Sequence, residues 1–405
     1  MAFPSKATHQ QTRAHNAALV LRALFDRGPI SRAEVARLTG LTRTTVGDVV
    51  GELLADGLAR EVGRGPSTGG KAPILLEVVD DARHVIGLDL GEFVFRAAIV
   101  DLRGHVQRVV ERPVGGRTGD EALEVVHELI TDVTGGDARG TLLGIGVGTP
   151  GIVDTATGTI RFAVNLGWQD LPLGEILRSR YGVPVEVAND SRAAALAIQL
   201  FSEKRSSNLV AITVGRGISA GVVLGGELFH GDGFGAGEIG HTVVDPDGTE
   251  CRCGRFGCLE TVASSRALVT RAEEIAREHP ESALGRAAAN AAQAGRALSL
   301  DDVVAAFEAG DEETRRAVVA AGRYLGQAVA SLIGVLDIER IVLHGSVAGL
   351  GEPWLEAVRD EAGRRSLGLL AERVTIELAP PIGDLVVMGA SALLLTGELG
   401  LAVGR

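Results

Sequence analysis

All three cysteines of this 405-residue chain lie in one string of eight residues, Cys251-Arg-Cys253-Gly-Arg-Phe-Gly-Cys258, and His241 precedes them. A disulfide framework would spread its cysteines along the chain, so the cluster favours metal binding in a reducing compartment. Four nitrogen and sulfur ligands with no open position suit a closed, tetrahedral, structural zinc site. The alternative is a set of buried free thiols beside a core histidine.

The first 60 residues have the pattern of a helix-turn-helix. The run Ser31-Arg-Ala-Glu34 is a capping-box sequence that begins one helix, Gly40 supplies a tight turn, and Thr42 caps the next helix. This spacing allows the third helix of the head to lie in a DNA major groove. The residues of its first turn that we expect to contact bases or phosphates are Arg43, Thr44 and Thr45. The alternative is a small helical module that binds proteins.

Two short extended runs follow this motif and predict a hairpin resembling a wing. Its loop contains Arg64 and Lys71, which we expect to contact phosphates or the minor groove of double-stranded DNA. Residues 1–75 contain ten Lys and Arg against six Asp and Glu, although the whole chain has a net charge of −12. A basic head on an acidic body indicates a dedicated DNA-binding end.

Composition and length limit the class of protein. Hydrophobic residues make up 45% of the chain and charged residues 23%, which is typical of a folded globular protein. The length predicts two or three domains. No run approaches the roughly 20 consecutive apolar residues of a membrane helix, and the first residues lack the apolar segment of a secretory signal. We therefore predict a cytoplasmic protein.

From about residue 80 the pattern changes to strands and turns. A strand over His84–Leu90 and a second over Val94–Asp101 open the first half. A similar opening recurs at Asn208–Val214 and Ile218–Leu224, which predicts two lobes of related topology, each a mixed sheet covered by helices. The remaining predicted elements are helices over Glu121–Val133 and Glu312–Leu336, strands over Leu142–Gly148 and Arg340–His344, and an apolar run over Leu385–Leu395.

Several motifs together resemble the ROK family of repressors, open reading frames and sugar kinases. They are Gly237-Glu238-Ile-Gly-His241, the cysteine string as far as Glu260, Gly148-Thr-Pro-Gly-Ile-Val-Asp154, Asn165-Leu-Gly-Trp168 and Asn189-Asp190. The head resembles that of the repressor branch, including the Thr-Gly-Gly-Lys of the wing. The resemblance covers almost the whole chain. It implies an α/β fold in which an N-terminal winged helix-turn-helix precedes a two-lobed, actin-like (RNase H-like) domain with its ligand between the lobes.

The resemblance assigns sugar binding to five residues, Asn189, Asp190, Glu238, His241 and Glu260. These residue types suit the role, because carboxylates and amides can bind adjacent sugar hydroxyls in bidentate fashion. His241 can bind zinc through one ring nitrogen and contact the sugar through the other. Taken singly, each of these acids is more often a solvated charge, so the prediction depends on the whole set.

In the kinases of the family, the aspartate that corresponds to Asp190 is the general base. This sequence departs from the kinase pattern at three places on the nucleotide side. The first phosphate loop of the kinases reads DxGGT, whereas Asp89-Leu-Gly-Glu-Phe93 stands here. The second loop reads GTG in the kinases and Gly215-Arg216-Gly217 here, and the GGG motif is reduced to His344-Gly345-Ser346. We therefore expect neither ATP binding nor catalytic residues.

The combined prediction is a sugar-responsive transcriptional regulator, in particular a repressor of carbohydrate uptake or catabolism genes, with structural Zn²⁺ as its cofactor. The predicted domains are residues 1–79 for the winged helix-turn-helix and linker, 80–200 for the first lobe and 201–405 for the second lobe, with a C-terminal helix able to return to the first. The resemblance implies a homodimer or homotetramer on palindromic operator DNA. Two alternatives remain: an active sugar kinase with a DNA-binding head, and a regulator that answers to a protein partner.

Overall fold

The computed structural model describes residues 9–66, 72–91, 93–135, 142–204, 206–379 and 384–401. The chain divides into two compact units. The first contains the residues up to Glu203 together with the C-terminal helix, and the second begins at Lys204 and extends as far as that helix. Lys71 of the wing and Glu92 of the predicted phosphate loop lie outside the described residues.

The N-terminal part of the first unit is a helix-turn-helix followed by a β-hairpin, as the sequence predicts. Its elements are α1 (His9–Arg27), β1 (Ile30–Ser31), α2 (Arg32–Thr39), α3 (Arg43–Ala55), β2 (Ala59–Arg64) and β3 (Ile74–Val78). The strands form an antiparallel sheet in the order β1-β3-β2, so β2 and β3 make the wing. Gly40 ends α2 at φ 70°, a left-handed conformation that glycine adopts without strain, and this permits the turn into α3.

Side-chain caps begin both helices of the motif. The Ser31 hydroxyl accepts the amide hydrogen of Glu34, and the Thr42 hydroxyl accepts that of Thr45, each at 3.2 Å. The predicted capping box forms only in half, because the Glu34 carboxylate pairs with Arg37 on the next turn. A guanidinium is a stronger partner for a carboxylate than a backbone amide, which accounts for the difference.

A five-stranded mixed sheet lies at the centre of the remainder of the first unit. The elements are β4 (His84–Leu90), β5 (Val94–Asp101), β6 (Val106–Pro113), α4 (Gly119–Thr134), β7 (Leu142–Thr149), β8 (Ile152–Asp154), β9 (Thr159–Ala163), β10 (Trp168–Leu171), α5 (Leu173–Tyr181), β11 (Val185–Asn189) and α6 (Asp190–Phe201). The strand order is β11-β7-β4-β5-β6, in which β4, β5 and β6 are antiparallel and β7 and β11 continue in parallel. Strands β8 to β10 form a separate three-stranded sheet.

The second unit repeats this strand order. Its elements are β12 (Leu209–Val214), β13 (Ile218–Leu224), β14 (Glu227–Leu228), α7 (Glu260–Ala263), α8 (Ser265–Glu278), α9 (Ala283–Gln293), α10 (Leu300–Glu308), α11 (Glu312–Leu336), β15 (Arg340–His344), α12 (Glu352–Arg365), α13 (Gly368–Ala371) and β16 (Thr375–Leu378). The order β14-β13-β12-β15-β16 matches that of the first unit strand for strand, again with an antiparallel meander and two parallel additions. The predicted relationship between the two halves is confirmed.

Helix α11 is long and apolar enough to cross a membrane, but half of its apolar stretch is buried within the protein. Leu325, Val329 and Ile333 belong to the hydrophobic core of the second unit. A helix in the core of a protein is apolar because it must bury one face. Packing therefore accounts for the composition of α11.

The C-terminal helix α14 (Leu385–Leu399) packs against α6 and the central sheet of the first unit. Gly146 on β7 faces the Ala390 carbonyl so closely that a Cβ atom would overlap it. Gly389 of α14 approaches the Ala193 carbonyl of α6 in the same way. Because both positions are glycine, the backbones can approach closely, and this close packing holds α14 in place.

Gly389→Ala should destabilise the first unit, because the new methyl group has no space between α14 and α6. We expect the free energy of unfolding to fall by about 3 kcal/mol, as for overpacked cores. Gly397→Ala is the matched control on the same helix. Its Cβ would meet open space, so the change should stabilise by about 0.5–1 kcal/mol. Denaturant unfolding of the full-length variants, followed by circular dichroism, measures both; equal effects would contradict the packing.

Candidate functional site

One histidine and the three cysteines converge in the second unit. The ligand atoms of His241, Cys251, Cys253 and Cys258 all lie within 4.8 Å of one another. Nδ1 of His241 is 3.7 Å from Sγ of Cys251, and Sγ of Cys253 is 3.6 Å from Sγ of Cys258. Thiolates bound to zinc at about 2.3 Å in a tetrahedron stand about 3.8 Å apart, so this arrangement fits a structural zinc site.

Glycines bend the loop so that its thiols can converge. Gly254 and Gly257 have φ values of 79° and 70°, in the left-handed region. A side chain at Gly257 would also overlap the Asp245 carbonyl, whereas one at Gly254 would meet open space. Short antiparallel bridges join Val243 to Cys258 and Glu250 to Phe256. Backbone hydrogen bonds of turns and these bridges shape the loop, and a bound metal would hold its turns together.

Burial opposes deprotonation of two of the three thiols. Burial, with the neighbouring thiols as a second cause, raises the pKa of Cys258 to about 12. Burial is also the main cause that raises the pKa of Cys251. A divalent cation favours the thiolate form and would offset both effects. Because four protein ligands complete a tetrahedron, zinc here would organise the loop and would offer no open position for catalysis.

Glu260 joins the zinc loop to the sheet of the second unit. It begins α7 just after Cys258, and its carboxylate accepts a hydrogen bond from Arg266 at 2.7 Å and from the Ile218 amide at 3.3 Å. Only 11% of its side chain is exposed. Glu238 is half-buried and directly precedes the short 3-10 helix that carries His241. The second unit thus places three of the predicted sugar-binding residues around one loop.

The other two predicted sugar-binding residues lie in the first unit, where β11 meets α6. Asn189 is buried; its amide group donates to the Gly151 carbonyl at 3.1 Å, and its side-chain oxygen accepts the Ser191 amide at 3.0 Å. Oδ1 of Asp190 accepts the same amide at 2.7 Å. Asn189 therefore also holds the turn after β7 in place. That all five residues form one site remains a prediction, because two belong to the first unit and three to the second.

The sequence analysis considered Asp89 only as part of a phosphate loop, and it did not identify Asp384, whose charge affects Asp89. Asp89 on β4 is buried, and burial, together with the negative charges of Asp384 and Asp190, raises its pKa to about 8. Arg96 lies 3.7 Å from both Asp89 and Asp384. Asp89 is therefore largely protonated at neutral pH and can donate a hydrogen bond. Its signal in the sequence is a carboxyl group inside an otherwise apolar strand, where a charge needs a partner or a function.

The start of α3 carries the predicted base-reading residues. Arg43 and Thr44 are exposed. Thr45 is half-buried, and its hydroxyl lies 2.9 Å from that of Thr42, the residue that caps the helix. Arg43 and Thr44 are therefore free of the capping interaction, whereas Thr45 contributes to it.

The exposed face of α3 continues beyond the residues that were predicted to bind DNA. Asp48 and Gly51 are exposed and follow Thr44 at helical spacing. A carboxylate on such a face can accept a hydrogen bond from a cytosine amino group. Arg64 is exposed at the end of β2, on the wing. Helical periodicity counted from Thr44 would have identified Asp48 from the sequence.

His344 ends β15, at one of the places where the sequence departs from the kinase pattern. Its Nε2 atom is 2.9 Å from the Thr213 hydroxyl, and burial lowers its pKa to about 4. The imidazole is therefore neutral at pH 7 and supplies no positive charge to a phosphate. Phe93, which belongs to another of these departures, exposes 60% of its surface.

Cys253→Ser should remove the metal, because it takes one thiolate from a site that needs four ligands. Wild-type protein should contain about one zinc per chain, and the variant much less, with a lower melting temperature. Arg252→Ala is the matched control, since Arg252 is exposed between two of the cysteines. Elemental analysis and thermal unfolding measure the outcome. Folded wild-type protein without zinc would refute the assignment.

Comparison with known proteins extends these observations to the whole chain. The xylose repressor of Caldicellulosiruptor bescii is 30% identical over 96% of this chain and 98% of its own. The glucokinase of Halalkalibacterium halodurans is 33% identical over 80% of this chain and 98% of its own. The crystal structure of a ROK family transcriptional regulator, a homologue of the Escherichia coli MLC protein, matches with a TM-score of 0.81 and 25% identity, covering 96% of this chain and 99% of that one.

A family model described as ROK family matches residues 85–396, which begin just after the winged helix-turn-helix. The repressor and the regulator structure cover the head as well, whereas the glucokinase matches a smaller share of the chain. The resemblance inferred from the motifs is thereby confirmed, as is the predicted α/β fold. This chain belongs to the ROK family.

Proposed function

We propose that this protein is a sugar-responsive transcriptional repressor that binds operator DNA and has no kinase activity. The observation that carries the proposal is the winged helix-turn-helix, α1 to β3, in front of a ROK domain. The chain matches a xylose repressor over nearly its full length, including this head, whereas a glucokinase matches a smaller share of the chain. A cytoplasmic location follows from this function.

The DNA contacts of the proposal rest on exposure and charge. Arg43 and Thr44 stand at the exposed start of α3, in position to reach base edges in a major groove. Arg64 on the wing is placed to reach the adjacent backbone or minor groove, and Lys71 is proposed to act with it. A homodimer or homotetramer would read a palindromic operator with one such head in each half-site.

The effector in this proposal is a monosaccharide or a close derivative. Asn189 and Asp190 on the first unit and Glu238, His241 and Glu260 on the second would bind its hydroxyl groups. These side chains offer paired acceptors and donors, which is the chemistry that adjacent hydroxyls need. His241 would use Nδ1 for zinc, because this atom faces Cys251, and would have Nε2 left for the sugar. One similar protein is named a xylose repressor, which makes D-xylose the first sugar to test.

A second candidate function is sugar phosphorylation, which the similarity to a glucokinase favours. Against it stand the altered nucleotide-side motifs. His344 is a neutral, buried ring, and the loop Gly215–Gly217 has an arginine at the position where the kinases have a threonine. These changes remove hydroxyl and glycine backbone contacts of the kind that phosphate groups require.

Arg43→Ala should weaken binding to a duplex enriched from a random library on the wild-type protein. We expect a cost of about 1–3 kcal/mol and a relaxed preference at one base pair, because one base contact is lost. Arg64→Ala should instead weaken binding to all duplexes and flatten the salt dependence. Fluorescence anisotropy on the enriched duplex and its single-base variants measures both. A uniform loss of the same kind in the two variants would disprove the base-reading role of α3.

The wild-type protein should release no ADP from ATP with D-xylose, D-glucose or N-acetylglucosamine, because its nucleotide motifs are altered. A coupled ADP assay measures this, and a ROK glucokinase serves as the positive control with D-glucose. Turnover that disappears in Asp190→Asn would establish the second candidate, since the kinases use this aspartate as the general base.

A further inference from the structure

The turn between β5 and β6, residues Asp101 to His105, is held rigidly by one buried carboxylate. Asp101 accepts the backbone amide hydrogens of Arg103 at 2.8 Å and of His105 at 2.9 Å, and it also contacts Nδ1 of His105 at 3.0 Å. Gly104 completes the turn at φ 86°. A turn fixed by this many local bonds has little freedom, so the side chain of Arg103 leaves it in a defined direction.

Arg103 contacts the DNA-binding head at two points. Its Nη1 donates to the Phe25 carbonyl at 2.5 Å, and its guanidinium lies 4.3 Å from the centre of the Phe25 ring. Its Nε donates to Asp80 at 2.9 Å, in the segment that leaves the wing. Phe25 belongs to the last turn of α1, where carbonyl groups lack helical partners and favour a positive charge. The Arg103 side chain therefore contacts both the first helix of the head and the segment that follows the wing.

The other side of the same turn touches the end of α6. A Cβ atom placed on Gly104 would lie 2.8 Å from Cδ1 of Phe201, the last residue of that helix, so the ring lies directly on the glycine. Asp190 begins α6, and its 12 residues span about 18 Å. A shift at the Asp190 end of a rigid helix would therefore reach the turn that carries Arg103.

Helix α14, with 15 residues, makes a second connection towards the head. Asp384, which lies near Asp89, caps its first turn, with both the Val386 and Val387 amides at 3.1 Å. At its other end, a Cβ atom on Gly400 would lie 2.5 Å from that of Ala18 on α1. Because α6 and α14 touch through their backbones, a shift of one would displace the other, and both helices end next to the head or the turn that holds it.

We infer that Arg103 is a positioning residue that couples the Asp190 end of α6 to the orientation of the DNA-binding head. The inference rests on the proposed sugar response and identifies its route: α6 moves the turn through Phe201 and Gly104, and Arg103 transmits the movement to Phe25 and Asp80. Arg103 touches neither the sugar residues nor the exposed face of α3 in these contacts. Its role is to set how strongly sugar binding affects DNA binding.

The test compares full-length wild type with Arg103→Ala, Arg103→Lys and Arg108→Ala. Arg108 lies on β6 of the same hairpin, so its removal is a matched loss of charge. Affinity for the enriched duplex is measured with and without D-xylose, D-glucose and N-acetylglucosamine, and sugar affinity is measured by calorimetry without DNA. In wild type and in Arg108→Ala, we expect the effective sugar to change the duplex affinity by the same factor, about 5- to 150-fold.

In Arg103→Ala, sugar should change the duplex affinity by no more than about 2-fold. The affinity of this variant for the sugar itself should stay within about 2-fold of wild type. Arg103→Lys should recover part of the sugar-induced change, because it keeps the charge but lacks the planar fork that reaches two acceptors at once. A merely structural role would lower duplex affinity with and without sugar and leave the factor between the two unchanged. The full wild-type factor in Arg103→Ala would overturn the inference.

Amide hydrogen exchange gives a readout that needs no sugar. In Arg103→Ala, the amides of the last turn of α1 and of the segment at Asp80 should exchange faster, and in Arg108→Ala they should not. Suppose that no sugar changes the duplex affinity of wild type while the exchange rates still differ between the two variants. That result would refute the proposed sugar response and support the contact of Arg103 with the head. Unchanged exchange in Arg103→Ala would show that the head is held by other residues and would refute the positioning role.

Discussion

The close packing of α14 against α6 and the central sheet is the constraint on which the first unit depends. Gly389 and Gly146 allow backbone to touch backbone, so the C-terminal helix becomes part of a unit whose other residues precede Lys204. The same packing brings Asp384 near Asp89, whose pKa the charge of Asp190 also raises. A cluster of carboxylates, one of them largely protonated, thus depends on an element from the far end of the chain.

In the second unit, the loop that carries the three cysteines has to be held in place. This loop, from Thr242 to Leu259, is built from turns and short bridges, and the Leu259 amide closes it by donating a hydrogen bond to the Thr242 carbonyl at 2.9 Å. A metal ion held by the four converging ligands would cross-link these turns. Glu260 follows this loop directly, and its ion pair with Arg266 fixes its carboxylate. The candidate zinc ligands and the proposed sugar-binding residue Glu260 are therefore neighbours along the chain.

Features with local signals could be predicted from the sequence. The caps at Ser31 and Thr42, the strand His84–Leu90 and the four metal ligands each depend on residues close together in the chain, and the structure has all of them. The small sheet of β8 to β10 was not predicted, since its strands have only three to five residues. Asp384 and Arg103 were missed for another reason. Their partners are distant in sequence, and no periodicity connects a turn after β5 with a carbonyl of α1.

In the proposed repressor, a sugar bound by Asp190 changes the affinity of the head for DNA. The most direct test measures the affinity of full-length wild type and Asp190→Ala for the enriched duplex, each titrated with D-xylose, D-glucose and N-acetylglucosamine, with zinc content as the control for folding. We expect the duplex affinity of wild type to change about 5- to 150-fold with at least one sugar, and that of the variant to stay unchanged. A variant that responds to the same sugar at the same concentrations as wild type would contradict it.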